Sequence, residues 1–283
     1  MTEAIINARS RTPGAAMMAR WSNRLRRAGV GTRLLELAGI GLLLVIWQLC
    51  HYFIGQFFPA PLDVFDNIAA NFWSSRYFEG IGLAPGGYAD HVLATTTTVL
   101  VGLAIGAVAG VAAGYASALS SVADQIISPL ATILGTVPIL VASPFLLIWF
   151  GPTLVPKLIL VGFYSAVVLH VYAMRAVQNV NPAYVAYART LGADGFGIFR
   201  EIIVPASLPE LFGGLRTALG AAWGFAVIGE LLGSEYGVGR VITATWSAYD
   251  ITSMMAGVVV LGVVAVIADA ILAGLRRMLT RWR

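Results

Sequence analysis

Six runs of the sequence, at about 34–54, 92–115, 125–150, 157–178, 210–232 and 252–275, are apolar over roughly the 20 residues that a helix needs to cross about 30 Å of hydrocarbon. Inside lipid a backbone has no water to bond to, so its N–H and C=O groups must be satisfied within helices or a closed barrel. Runs of this length read as helices, and the chain is expected to be an all-α polytopic membrane protein with six transmembrane helices. Only 11% of its residues are charged and 58% are hydrophobic, against about 25% and 45–50% in soluble domains.

The same scarcity of polar residues excludes several chemistries. The single lysine, Lys157, follows Pro156, so no GxxxxGK[ST] phosphate loop exists and the chain does not hydrolyse ATP through that motif. Cys50 is the only cysteine, which rules out an intrachain disulfide and a cysteine-built metal site. His51, His91 and His170 are widely separated and read as span-end residues rather than metal ligands or bases. No catalytic residues, metal site or cofactor are expected. An intramembrane enzyme would need an HExxH, GxSxG or paired-Asp constellation, and an ion-driven secondary transporter would normally show paired carboxylates or a histidine relay in mid-span. Neither pattern occurs, although the secondary transporter stays as the alternative to the reading developed below.

Orientation follows from the arginines. The arm of residues 1–33 carries seven, lacks the apolar core and cleavage site of a signal peptide, and reads as a basic cytoplasmic arm. The segment around 175–200 carries three, Arg175, Arg189 and Arg200, and the tail "RRMLTRWR" adds four. By the positive-inside rule both termini and the 179–209 segment are cytoplasmic, while 55–91 and 233–251 face the opposite side. The transmembrane permease domain is expected to occupy 34–283.

Within the spans, Gly102, Gly106, Gly110 and Gly114 recur every fourth residue, and Gly220 and Gly224 repeat the theme. Such stripes let helix backbones approach closely, either inside one chain or between two copies. Pro129, Pro138 and Pro144 interrupt the third span, which is expected either to kink beside a polar pathway or to pack with local 3₁₀ turns. Candidate pathway residues are Thr95, Thr98, Pro138, Ser143, Trp223 and Glu230. Glu230 lies 20 residues, roughly 30 Å of helix, beyond Glu210, so a solute or gate contact competes with an interfacial role. Asp269, seven residues before Arg276, reads as an interfacial anchor. The threonines of 95–98 either supply hydroxyls to the pathway or bond back to the preceding turn.

The segment "NPAYVAYARTLGADGFGIFREIIVPASLP" is the polar interruption. Asn181 followed by Pro182 is a helix start and Gly192 a stop. Asp194 caps a second short helix that Pro205 is expected to end, with Ser207 and Pro209 opening the next span. Ala188, Leu191, Phe196, Phe199, Ile202 and Ile203 are expected to form one apolar side of a docking surface.

At these residues the sequence resembles the permease subunits of bacterial ATP-binding-cassette importers, whose cytoplasmic signature is EAA-x3-G-x9-I-x-L-P. The register falls on Ala186, Tyr187, Ala188, Gly192, Ile202, Val204 and Pro205, with Ala186 in place of the Glu, Tyr187 of the first Ala and Val204 of the Leu. "FPAPLDVFDNI", "VPILVASPFLLIWFG" and "VIGELLGSEYGVGRVI" also look like the branch serving taurine, sulfonates and nitrate. The resemblance implies a type I importer permease fold, with Ala186, Tyr187, Ala188, Leu191, Gly192, Ala193, Asp194, Phe199 and Pro205 forming the contact with the ATPase. It further implies two cytoplasmic ATP-binding subunits that hold ATP and Mg, a second copy of this permease, a periplasmic solute-binding protein, and a bacterial inner-membrane location. Lipid surrounds the spans and no nucleic acid is involved. The solute is expected to be a small anion such as a sulfonate, taurine or nitrate.

Overall fold

The computed structural model describes residues 29–280; the arm expected at 1–33 lies, up to residue 28, outside the described residues, as do Arg281 and Arg283 of the tail. Every regular element among the described residues is helical. Chain contacts divide the protein after Asp63 into two units.

The first unit is carried by α1 (Gly29–Ile54) and a 3₁₀ turn at Gly55–Phe57. Leu42, Leu43, Val45 and Ile46 of α1 are all exposed, the surface that suits lipid rather than water. At its end the His51 ring lies 2.6 Å from the Phe58 carbonyl, and the Trp47 indole donates to the Pro59 carbonyl at 3.0 Å.

α2 (Pro61–Asn71) begins three residues before that division, and in the second unit α3 (Arg76–Gly80) precedes α4 (Tyr88–Leu119). The Asp90 carboxylate accepts the Gly87 N–H at 3.1 Å, satisfying an amide at the start of α4. Next come α5 (Ser121–Thr136), a 3₁₀ turn (Ile139–Ala142) and α6 (Ser143–Phe150). The third span bends by 73° between α5 and the segment Ile139–Phe150, whose first four residues form a local 3₁₀ turn. The break falls at Val137–Pro138, because proline disfavours a helical residue before it and offers no N–H to the preceding turn. Among the described residues five helices are long and apolar enough to cross a membrane, six if this bent pair counts as one span.

α7 (Leu154–Gln178) packs along α4 through the glycine stripe. A Cβ at Gly102 would meet the Val161 side chain, at Gly106 the Gly162 carbonyl, at Gly110 the Ala166 carbonyl, and at Gly114 the Ala173 side chain. The stripe is therefore an intrachain contact. Val99 and Leu103 of α4, Val161 and Leu169 of α7, and Ala218, Leu219, Ala222, Trp223 and Ala226 of a later helix close the main apolar core.

α8 (Pro182–Thr190) starts where Asn181 Oδ1 accepts the Ala183 N–H at 2.9 Å. It stops where the Gly192 and Ala193 amides, each at 3.0 Å, close onto the Arg189 and Ala188 carbonyls, with Gly192 at φ +84°. α9 (Gly195–Ile198), capped by Asp194 Oδ1 on the Gly197 N–H at 2.9 Å, does not end at Pro205 as the sequence suggested. It widens into a π-helical turn at Phe199–Ile203 and continues as α10 (Val204–Leu231), with Pro205 in the first turn. The widened turn carries the register past a proline that has no N–H to give. The second short helix is thus continuous with one end of a span.

α11 (Val238–Ser247) and α12 (Ile251–Leu279) complete the chain, α12 being capped by Asp250 Oδ1 on the Ser253 N–H at 3.0 Å.

Candidate functional site

Along the segment 182–203, the expected apolar side divides in two. Val177, Ile198 and Ile203 form a small buried cluster with Val185, Ala188, Phe199 and Ile202 packed against it, and Tyr115 of α4 meets Phe199 edge-on at 5.7 Å. The Tyr115 hydroxyl lies 2.5 Å from Ser207 Oγ, joining α4 to the first turns of α10. Tyr184, Tyr187, Leu191 and Phe196 instead point outward at 63–71% exposure, beside exposed Ala186, Gly192, Ala193 and Asp194. Half-buried Pro205 lies behind this surface. Tyr184 was missed by the sequence reading; its place three residues before Tyr187, on the same helical face, is the signal.

Elsewhere a polar cluster is buried in protein. The N-terminus of α11 presents three successive amides, and each goes to a different side chain. Gly237 N–H donates to His91 Nδ1 at 3.1 Å, Val238 N–H to Thr95 Oγ1 at 2.9 Å, and Gly239 N–H to Glu230 Oε2 at 3.0 Å. The Thr95 hydroxyl in turn donates to Glu230 Oε2 at 3.0 Å. These side chains on α4 and α10 satisfy amides that a helix start leaves without partners. The carboxylate also sits where the helix dipole favours negative charge.

The loop before α11 is tied as well. Lys157 Nζ donates to Ser234 Oγ at 2.8 Å, and Ser234 Oγ donates to the Tyr236 carbonyl at 2.5 Å. Gly237, at φ +123°, leaves room for the Glu230 carboxyl carbon, which would collide with a Cβ there. Glu230 is 1% exposed and Thr95 and His91 are fully buried. Glu230 is an internal cap that also borders a cavity of about 600 Å³ with Ser234 and Arg240, and His91 and Lys157, each in the first turn of its span helix, belong to the same cluster.

The remaining candidates are dispersed. Thr98, 2% exposed, bonds back to the Ala94 carbonyl at 3.1 Å and borders a cavity of about 460 Å³ with Lys157 and Tyr236. Trp223 belongs to the apolar core and faces no open space. Ser143 is buried, its hydroxyl on the Leu140 carbonyl at 2.6 Å, and Pro138 is exposed at the break between α5 and α6. Gly220 and Gly224 have open space where a Cβ would stand, with none of the described residues packed there. Asp269 is paired across α10 and α12 with Arg216. No group of three or more His, Cys, Asp or Glu among the described residues is arranged to hold a metal.

The family described as the binding-protein-dependent transport system inner membrane component matches residues 92–282. The riboflavin transport system permease protein of Chloroflexus aurantiacus is 29% identical over 85% of this chain and 87% of its own length. The taurine transport system permease protein of Escherichia coli is 25% identical over 88% of this chain and 89% of its own. A chain of an inward-facing methionine ABC transporter shares the fold, with a TM-score of 0.57 at 20% identity over 67% of this chain and 94% of that one.

Proposed function

The chain belongs to the family of binding-protein-dependent transport system inner membrane components, and from that premise we propose that α8 and α9 dock on a separate ATP-hydrolysing subunit and drive import of a small anion such as a sulfonate, taurine or nitrate. The chain is an ABC importer permease of the inner membrane. What supports the docking is the outward patch of Tyr184, Tyr187, Leu191 and Phe196, four large side chains left exposed on helices whose inner residues are already packed. Aromatic anchors on a helix face are how such surfaces bind a groove.

In this reading two ATP-binding subunits supply ATP and Mg, two permease copies enclose the pathway, and a periplasmic solute-binding protein delivers the cargo. Both termini and the 179–209 segment are cytoplasmic, which puts the cluster around Glu230 at the periplasmic end. Because α9 runs through its π turn into α10, a push on the coupling surface is delivered to the helix that ends at Glu230. Gly192 sets the angle between α8 and α9.

The test is reconstitution. Vesicles holding the permease with a co-purifying ATPase and solute-binding protein are expected to take up labelled taurine or an alkanesulfonate only when ATP is inside the compartment of the ATPase. Uptake driven by an ion gradient without ATP would establish the secondary transporter instead.

A further inference from the structure

α10 carries an ion pair in an unusual place. Arg216 Nε and Nη2 donate to the two carboxylate oxygens of Asp269, both at 2.6 Å, and the side chains are 60% and 37% exposed. Arg216 lies six residues beyond Glu210 and Asp269 seven before Arg276, so each is about 9–10 Å of helix inside its span. A charged pair at that depth is costly against lipid tails.

On α10 the surface around it is small and polar rather than apolar, while on α12 Asp269 is flanked by exposed Val266, Ile267 and Ile271. The exposed residues near Arg216 on α10 are Thr217, Gly220 and Gly224, and Leu231 at the far end is the one exposed large hydrophobic of this helix. By contrast α4 exposes Leu93, Leu100, Ile105 and Val108, and α12 exposes Val258, Val263, Val266 and Ile267. Next to Arg216, the exposed Thr217 has its hydroxyl 3.3 Å from that of half-buried Tyr172.

We infer that this open face of α10 lines the solute path and that Arg216, held in plane by Asp269, is a contact for the oxyanion of the permeating solute. The inference rests on the importer reading above and gives it a residue. Asp269 occupies two of the five guanidinium N–H groups, which leaves three for a carboxylate, sulfonate or similar oxyanion. The pairing also weakens the site: a guanidinium already neutralised by Asp269 offers an oriented dipole rather than a full charge. A transport contact needs that, since the solute must leave as well as enter.

The experiment reads the electrostatics of the face directly. In a Cys50→Ser background, Gly220→Cys places a thiol one helical turn from Arg216 where a side chain meets open space. Membranes holding the full complex are treated with sulfonatoethyl methanethiosulfonate, an anion, with its trimethylammonioethyl counterpart, a cation, and with uncharged N-ethylmaleimide. Both charged reagents are expected to react, and Arg216→Gln is expected to lower the anion-to-cation rate ratio about threefold, the effect of one screened charge at this separation. Asp269→Asn is expected to raise the ratio. Reaction with the maleimide alone would show a lipid-facing surface, no reaction with any of the three would show a face covered by another chain, and a ratio indifferent to Arg216→Gln would remove the anion contact. Each of those results overturns the inference. Gly224→Cys repeats the measurement should the first variant fail to accumulate. Failure of ATP-driven uptake in the wild type would instead strike the importer reading and leave the rate ratios interpretable.

Discussion

The Thr95 hydroxyl and the Glu230 carboxylate, 135 residues apart in sequence, lie 3.0 Å from each other inside the protein, and together they take the Val238 and Gly239 amides of α11. One threonine thus joins α4 to both the end of α10 and the start of α11. Removing it leaves a buried carboxylate and a buried amide each short of a partner, which costs about 1–3 kcal/mol for each group. Thr95→Val is expected to lower the thermal midpoint of the detergent-solubilised complex and to open the 232–238 loop to protease. Because Glu230→Ala breaks the same network, the double variant is expected to lose less than the sum of the singles; strict additivity would show that the two residues act separately.

Gly237 and Gly220 make a contrasting pair. At Gly237 the backbone has φ +123° and the Glu230 carboxylate fills the Cβ position, so Gly237→Ala is expected to destabilise by more than the ~1–2 kcal/mol of backbone strain alone. At Gly220, mid-helix and open, Ala is expected to stabilise by about 0.5–1 kcal/mol. Thermal midpoints of opposite sign check both.

The α4 glycines make the next case. A Cβ at Gly110 would run into the Ala166 backbone of α7, which cannot move without shifting the helix. Gly110→Leu is expected to cost a few kcal/mol and to reduce membrane abundance of the single chain. Gly224→Leu meets none of the described residues and is expected to leave abundance unchanged. Immunoblots of membranes from cells making each variant decide this.

At the coupling surface Gly192 has φ +84° but open space around its Cβ position, so any penalty there is purely conformational. Gly192→Asn, which tolerates the left-handed region, is expected to retain ATPase co-purification and uptake, whereas Gly192→Val is expected to lose both at normal abundance. Equal behaviour of the two variants would mean that the turn angle does not set the docking geometry.

The outward aromatics offer a cleaner cut. Tyr187→Ala and Phe196→Ala remove exposed side chains, so folding is expected to be untouched while the affinity for the ATPase falls by about 1–3 kcal/mol each. Titration of the purified ATPase against permease in nanodiscs measures it.

Much of the coupling segment was legible because its signals act over a few residues. Asn181, Gly192 and Asp194 each cap or stop a helix through a bond no more than five residues away, and such bonds follow from local chemistry. Pro205 misled for the same reason: the local rule says that proline stops a helix, and a π turn at Phe199–Ile203 carried the chain past it. The division of the apolar residues, with Ala188 and Phe199 inward and Leu191 and Phe196 outward, depended on where Tyr115 of α4 and Val177 of α7 stand, which no short window contains.

By itself the sequence determined the membrane class, the number and rough place of the spans, the capped interruption and the spacing of the α4 glycines, because hydropathy, helical period and capping are properties of consecutive residues. Only the tertiary structure decided that the α4 glycines meet α7 while Gly220 and Gly224 meet none of the described residues, that Arg216 pairs with Asp269, and that His91, Thr95 and Glu230 divide three amides of α11 among them. The physical reason is that a buried polar group takes whichever partner the packing of distant helices brings within about 3 Å. No periodicity along the chain encodes that meeting.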